Sequence, residues 1–113
     1  MQWFEYEYKD FPEVISKNNI GCCVGEHWHP YVHNMLSGML YNKVYAQIVQ
    51  IKEKFGELRV YYDNSSPEAE AYILAAAKAC SETCAECGSQ EDVRRHSSEN
   101  KGWVLPRCKT CRT

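Results

Sequence analysis

The sequence predicts an α+β fold in which a small helix, β-hairpin and helix core is followed by a C-terminal zinc ribbon with four cysteine ligands. Apolar residues recur at helical spacing after Pro30. Apolar and polar residues alternate after Gly56, as in a strand with one buried face. Two Cys-x-x-Cys pairs follow near the carboxyl end. We therefore divide the chain into a body, residues 1–83, and a zinc ribbon, residues 84–113.

Length and charge limit the classes of protein to which the chain can belong. Its 113 residues suffice for one compact unit with an attached module, and 44% hydrophobic with 25% charged residues is typical of a folded protein. The body carries 11 acidic and 7 basic side chains, whereas the ribbon carries 4 and 6. Because a zinc ion bound by four thiolates adds further negative charge, generic affinity for a phosphate backbone is not expected.

Compartment and redox state follow from the apolar runs and the cysteines. No apolar run reaches the roughly 18 to 20 residues of a membrane span, and the start of the chain lacks the pattern of a signal peptide. The odd count of seven cysteines argues against a disulfide scaffold. We expect a cytoplasmic protein with reduced thiols.

The first thirty residues predict little regular structure. Residues 3–8 mix aromatic and acidic side chains, which favours a short edge strand or an exposed arm. Asp10, Pro12 and Glu13 predict the start of a short helix. Residues 21–29 are predicted to form a loop.

An amphipathic helix is predicted to begin near Pro30, which suits the first turn of a helix. Its buried face is predicted to consist of Val32, Met35, Leu36, Met39 and Leu40.

A β-hairpin that turns near Gly56 is the favoured interpretation of residues 44–62. The alternative continues the first helix, because Val44, Ile48, Ile51 and Phe55 also suit helical periodicity. Only the second arm, from Leu58 onward, alternates as a strand does.

A second helix is predicted after the segment Ser65-Ser66-Pro67-Glu68, which combines a serine cap, a proline at the first position and an acidic first turn. Its apolar side is predicted to consist of Ala69, Ile73, Ala76, Ala77 and Cys80.

The two Cys-x-x-Cys pairs predict one structural zinc ion bound by Cys84, Cys87, Cys108 and Cys111. Four thiolates leave no open position on the ion, so its role is to stabilise a segment too short to bury its own core. A thioredoxin-like redox pair is the alternative for the first motif, but it needs a strand before it and no second pair. The other cysteines, Cys22, Cys23 and Cys80, are interpreted as small buried residues.

Three histidines open a further alternative. His27, His29 and His33 lie beside Glu26 and suggest a second, catalytic metal site. No HExxH motif accompanies them, so ordinary packing or surface histidines are favoured.

The ribbon is also a candidate nucleic-acid surface, because basic and aromatic side chains contact phosphates and stack on bases. The alternative is a solvated ribbon whose tryptophan packs on the body. The residues concerned are Arg94, Arg95, His96, Lys101, Trp103, Arg107, Lys109 and Arg112.

The segment VQIKEKFGELRVYY, residues 49–62, is similar to a sequence pattern of a known protein family. Followed by the two Cys-x-x-Cys pairs and by Gly102-Trp103, it resembles a family of small uncharacterised bacteriophage and prophage zinc-ribbon proteins with the pattern KEKFGxLRxYY. Residues 25–28 look like that family's glycine-rich segment, except that His27 stands where the family commonly has glycine. The resemblance implies a phage or mobile-element origin and supports the hairpin, but it implies no activity.

The function predicted from these observations is that of a non-enzymatic phage-type accessory protein. It would bind and modulate, for example by inhibition, a host macromolecular complex such as a defence or nucleic-acid-processing system in the bacterial cytoplasm. The chain has no recognisable catalytic constellation, and its eight tyrosines and three tryptophans are residue types that anchor protein interfaces. A zinc-ribbon nucleic-acid binder and a metal-dependent hydrolase remain as alternatives. The predicted partner-binding residues are Trp3, Tyr6, Tyr8, Tyr61, Arg94, Arg95 and Trp103.

Overall fold

A computed structural model describes residues 21–97 and 104–112 and has an α+β architecture. In chain order, strand β1 is Gly21–Cys23, a 3-10 turn is Glu26–Trp28, helix α1 is His29–Tyr41, β2 is Ala46–Lys54, β3 is Glu57–Ser65, helix α2 is Ala69–Ser81, β4 is Arg94–Ser97 and β5 is Val104–Arg107. The predictions for residues 3–8 and 10–19 lie outside the described residues, as do Lys101, Gly102 and Trp103.

Two sheets organise the described chain. The first has three strands in the order β1-β2-β3, with β1 parallel and β3 antiparallel to β2. Helices α1 and α2 pack against each other, and α2 also packs on β3. The second sheet is the antiparallel pair β4-β5. The core between helices and sheet contains Trp28, Val32, Met35, Leu36, Met39, Ile48, Ile51, Leu58, Ala76 and Cys80.

The β-hairpin prediction is confirmed, and the alternative of a continued helix is wrong. Strands β2 and β3 pair directly, with Lys54 opposite Glu57. The two loop residues, Phe55 and Gly56, both have positive φ angles, of 55° and 79°. That conformation is a type I′ turn, whose twist matches the twist of the flanking strands.

Helix α1 ends in a hydrogen-bonded capping motif that was not predicted from the sequence. The amide of Val44 donates to the carbonyl of Met39 at 2.8 Å, and the amide of Lys43 donates to the carbonyl of Leu40 at 3.3 Å. This pair of hydrogen bonds is a Schellman motif, in which Lys43 has the left-handed φ of 56° that glycine usually supplies. Val44 and Met39, the positions of the hydrophobic pair that accompanies this motif, are both buried.

Two local predictions were wrong. Residues 21–29 are not a loop, because Gly21–Cys23 pairs with β2 and Glu26–Trp28 forms a 3-10 turn. Helix α2 does not use a serine cap: its cap residue is Glu68, with no side-chain hydrogen bond. The Ser66 hydroxyl instead accepts the amide of Tyr45 at 2.8 Å, which ties the start of α2 to the start of β2. Both features depend on residues distant in the chain: β1 on its pairing with β2, and the Ser66 hydroxyl on the amide of Tyr45.

The predicted buried faces of the helices are confirmed for most of their residues. Val32, Met35, Leu36 and Met39 are buried on α1, and Ala69, Ala76 and Cys80 on α2. The other predicted residues, Leu40, Ile73 and Ala77, are partly buried and pack against the core. Neither described helix has the length and apolar character needed to span a membrane.

Candidate metal centre

The four cysteines of the two Cys-x-x-Cys pairs converge on one point. The sulfur atoms of Cys84, Cys87, Cys108 and Cys111 all lie within 4.8 Å of one another, and the Sγ atoms of Cys87 and Cys108 are 3.6 Å apart. Four sulfurs at about 2.3 Å from a tetrahedral ion would be separated by roughly 3.8 Å. The four thiols could therefore hold a metal ion with little rearrangement.

Each cysteine pair lies in its own turn, and the two turns have the same hydrogen-bond pattern. The amide of Gly88 donates to the carbonyl of Cys84 at 2.9 Å, and the amide of Arg112 donates to that of Cys108 at 3.1 Å. Gly88 has a φ of 82°, a conformation that side-chain-bearing residues rarely adopt. Each hydrogen bond closes a turn that brings the two sulfurs of its pair to one side.

The β4-β5 hairpin joins the two turns. Strand β5 ends at Arg107, so it delivers the second pair directly, and Arg94 pairs with Arg107 across the hairpin. The amide of Ala85, inside the first pair, donates to the carbonyl of Pro106 at 2.9 Å. This bond anchors the first turn to β5 and sets the distance between the two pairs. We call residues 84–97 and 104–112 the cysteine module.

The thiols of the cluster have different environments. Burial opposes ionisation of Cys84, but hydrogen bonds from the backbone at Cys108, Cys87 and Glu86 lower its pKa to about 6. Hydrogen bonds among the sulfurs, first with Cys108 and then with Cys84, raise the pKa of Cys111. One thiolate thus opposes ionisation of its neighbours, and a bound cation would remove that opposition.

Cys80 lies outside the cluster. It is fully buried in the core, and burial raises the pKa of its thiol to about 12, as expected for an inert residue. The first Cys-x-x-Cys pair follows helix α2 rather than a strand, which argues against the thioredoxin-like alternative. Cys22 and Cys23 pair through their backbones with Ile51 and Lys52.

Two arginines expected as phosphate contacts instead brace the cysteine module. Arg107 is 7% exposed, and its Nε donates to Glu86 Oε1 at 3.0 Å while Nη1 donates to the His96 carbonyl at 2.8 Å. Arg112 Nη2 donates to Asp92 Oδ2 at 2.9 Å, and that hydrogen bond lowers the pKa of the Asp92 carboxyl. Glu86 and Asp92 were not singled out from the sequence, although an acidic residue between two cysteines is a visible signal.

Arg94 and Arg95, both predicted to bind a partner, have different contacts. Arg94 pairs with Asp92 at 3.1 Å inside the module. Arg95 reaches the body, where its Nη2 donates to the Phe55 carbonyl at 2.7 Å and its Nη1 lies 3.5 Å from Glu57 Oε1. Both side chains keep more than half of their surface exposed.

A second contact between module and body involves Tyr31, Thr83 and Gln90. Gln90 Nε2 donates to the Tyr31 hydroxyl at 2.9 Å, and Thr83 Oγ1 lies 3.1 Å from the same oxygen. Thr83 is fully buried. These hydrogen bonds therefore connect α1, the end of α2 and the residues that follow the first cysteine turn.

The three histidines do not meet at one point. A Cβ atom at Gly88 would lie 2.8 Å from His27 Nδ1, so the His27 ring packs on the first cysteine turn. His29 Nε2 lies 3.3 Å from the Val24 carbonyl. Within residues 21–97 and 104–112, the four cysteines form the only group of three or more potential metal ligands.

The remaining predicted partner-binding residues fall into two groups. Tyr61 lies on the outer face of β3, 42% exposed, with Lys52 Nζ 5.5 Å from its ring centroid. Trp3, Tyr6, Tyr8 and Trp103 lie outside the described residues.

No model of a known protein family matches this chain, and no curated protein or solved structure matches it either.

Proposed function

We propose that Cys84, Cys87, Cys108 and Cys111 bind one structural Zn²⁺ in a C-terminal zinc ribbon, and that the protein is a non-enzymatic binding protein. The convergence of four thiols on one point carries this proposal. Four sulfur ligands complete a tetrahedral shell and leave no position for a reactive water. The same ligand set also suits iron, so the metal has to be identified directly.

The described surface supports a role in binding. Aromatic side chains anchor protein interfaces, and such side chains are exposed at Phe55 (61%) and Tyr61 (42%). Phe55 stands at the tip of the hairpin, where its backbone is held by Arg95. The resemblance of this hairpin to phage and prophage proteins favours a host macromolecular complex, such as a defence or nucleic-acid-processing system, as the partner. Reduced thiols suit the bacterial cytoplasm.

A zinc-ribbon nucleic-acid binder is the second candidate, because Arg94, Arg95 and Lys109 keep exposed side chains. The internal contacts of Arg107 and Arg112 reduce the basic surface left for it. It predicts binding that weakens steeply with salt. A labelled duplex and a labelled single strand that both fail to shift at low salt with micromolar protein would exclude it.

Native mass spectrometry of the purified chain, with metal quantified, tests the metal proposal. The expected result is one zinc per chain in the wild type and in Cys80→Ala, a matched control outside the cluster, and none in Cys84→Ser/Cys108→Ser. Retention of zinc by the double variant would place the ion elsewhere.

Affinity purification from bacterial host cells tests the binding proposal. We expect a defined host complex with the wild type and with the exposed control Lys78→Ala, and a loss of that complex with Phe55→Ala/Tyr61→Ala. A complex that binds the double variant equally well would exclude these two residues from the interface.

A further inference from the structure

The outer edge of strand β3 has no backbone partner within residues 21–97 and 104–112. The three-stranded sheet has the order β1-β2-β3, so β3 is paired on one side only. Outside the β2 ladder, residues 57–64 make no backbone–backbone hydrogen bond within that part of the chain. Such an edge presents a row of N–H and C=O groups that can pair with another strand.

The register of the hairpin identifies the backbone groups at this edge. The two-residue turn makes its flanking residues a hydrogen-bonded pair, and such pairs alternate along an antiparallel ladder. Arg59 and Tyr61 therefore direct their N–H and C=O groups toward β2. Val60 and Tyr62 direct theirs toward the open edge, where a further strand could accept and donate hydrogen bonds.

Charge changes sign along the outer face of β3. Near the turn, the Glu57 carboxylate is shared by two guanidinium groups, with Arg59 Nη2 at 3.0 Å and Arg95 Nη1 at 3.5 Å. Lys52 lies directly opposite Arg59 in the ladder, so cations outnumber the carboxylate at this end. At the other end Asp63 is exposed and has no ion pair within the described part of the chain. The edge thus has a positive half and a negative half.

An antiparallel copy of the same edge complements this pattern when a two-fold axis passes through Tyr61. Arg59 of each copy then lies opposite Asp63 of the other. The two Tyr61 side chains, each 42% exposed, meet on the outer face. On the inner face Val60, which is partly buried against the core, lies opposite the partly buried Tyr62 of the second copy. Opposite charges, aromatic pairs and aromatic–β-branched pairs are all favourable across neighbouring strands.

The adjacent positions of the axis are less favourable. With the axis at Val60, Glu57 lies opposite Asp63 of the second copy, and like charges directly opposite are destabilising. With the axis at Tyr62, Arg59 and Asp63 are no longer opposite each other, so both ion pairs are lost. Charge therefore selects the central register.

We propose that two copies of this chain associate through their β3 edges, with Tyr61 on the two-fold axis, to form one continuous six-stranded sheet. An isologous contact of this kind closes at two copies. The dimer is weak, because only one strand edge of each copy is buried and the regular register of β3 ends near Tyr62. The proposal uses neither the metal nor a host partner.

The first test is sedimentation velocity of the purified, metal-quantified full chain in the presence of a reductant, from micromolar to millimolar concentration. We expect a concentration-dependent shift from monomer to dimer, with no larger species. The midpoint of that shift should move to higher concentration with added salt, because salt screens the Arg59–Asp63 attraction.

Charge-reversal variants test the register. Arg59→Asp and Asp63→Arg each place like charges opposite one another, so each should weaken the dimer at least about tenfold. The double variant Arg59→Asp/Asp63→Arg should restore it. An equimolar mixture of the two single variants should form a heterodimer, because every acidic side chain at these positions then faces an arginine. Lys78→Glu, on the exposed surface of α2, is the charge-reversal control and should leave the dimer unchanged.

An isotope-filtered NOESY experiment locates the axis without any substitution. In a mixture of labelled and unlabelled wild-type chains, the Hα of Tyr61 in one copy should give a cross-peak to the Hα of Tyr61 in the other. These protons are close in a non-hydrogen-bonded antiparallel pair.

A wild-type chain that remains monomeric at millimolar concentration would overturn the proposal. A dimer that both single variants preserve, or one that lacks the Tyr61 cross-peak, would place the contact elsewhere and overturn it as well. Phe55 and Tyr61 are unchanged in the charge variants. Loss of the dimer with retained host binding therefore concerns the β3 edge alone, and loss of host binding by a chain that still dimerises concerns the proposed function alone.

Discussion

Arg95 donates from Nη2 to the carbonyl oxygen of Phe55 at 2.7 Å, and this bond joins the cysteine module to the tip of the β2-β3 hairpin. The two residues are forty positions apart. A Cβ at the neighbouring Gly56 would lie 3.1 Å from the Val104 carbonyl, so the tip and β5 are in close contact. The module therefore braces the hairpin.

Arg95→Met should loosen this joint. Arg95 is partly exposed, so we expect a loss of about 1 kcal/mol in the free energy of unfolding, measured by urea denaturation of the metal-loaded protein. Arg94→Met is the matched control, because the ion pair of Arg94 lies within the module. Equal losses in the two variants would contradict a specific role for the hairpin contact.

Phe55→Asn should stabilise the protein. Phe55 has a φ of 55° in a type I′ turn, where asparagine is much better tolerated, and its side chain is 61% exposed. The expected gain is about 0.5 to 1 kcal/mol in the free energy of unfolding. Phe55→Ala keeps the unfavourable conformation and should give no gain. A loss of stability in Phe55→Asn would mean that the phenylalanine ring contributes to the fold.

Lys43→Gly tests the end of helix α1 in the same way. Glycine removes the strain of the left-handed φ at this position of the Schellman motif. We expect a stabilisation of about 0.5 to 1 kcal/mol by thermal or urea unfolding. In Lys43→Ala the Cβ atom remains, and stability should stay near that of the wild type. If both variants behaved alike, backbone strain at Lys43 would not be the cause.

Arg107→Met should weaken metal retention as well as stability. Its buried guanidinium links Glu86, inside the first cysteine pair, to the His96 carbonyl on β4. Because Glu86 is half exposed, we expect a loss of about 1 to 2 kcal/mol. Zinc transfer to a chromogenic chelator should also be faster than in the wild type. Lys109→Met, an exposed change within the second pair, should leave that rate unchanged.

The sequence predicts those features whose determinants are close together in the chain. The three-residue spacing of each cysteine pair predicts a turn, and two such turns predict convergence of the four sulfurs, as observed. Likewise, the periodic apolar residues after Pro30 predict the buried face of α1. In both cases the local structure is determined by residues within a short segment of the chain.

Features that depend on distant contacts were not predictable in the same way. Gly21–Cys23 is too short to show a pattern and becomes a strand only because β2 lies beside it. The Ser66 hydroxyl was expected to cap a helix, but the amide of Tyr45 is its partner. Arg107 has the sequence character of a surface cation, and only the fold places Glu86 and His96 around it.

X-ray absorption at the zinc edge of the purified protein tests the metal centre most directly. The proposed zinc site requires four sulfur ligands at about 2.3 Å and no nitrogen or oxygen ligand. The same spectrum should be obtained from Cys80→Ala and lost in Cys84→Ser/Cys108→Ser. A shell containing nitrogen or oxygen, or a wild-type protein without zinc, would contradict a structural zinc site at these four cysteines.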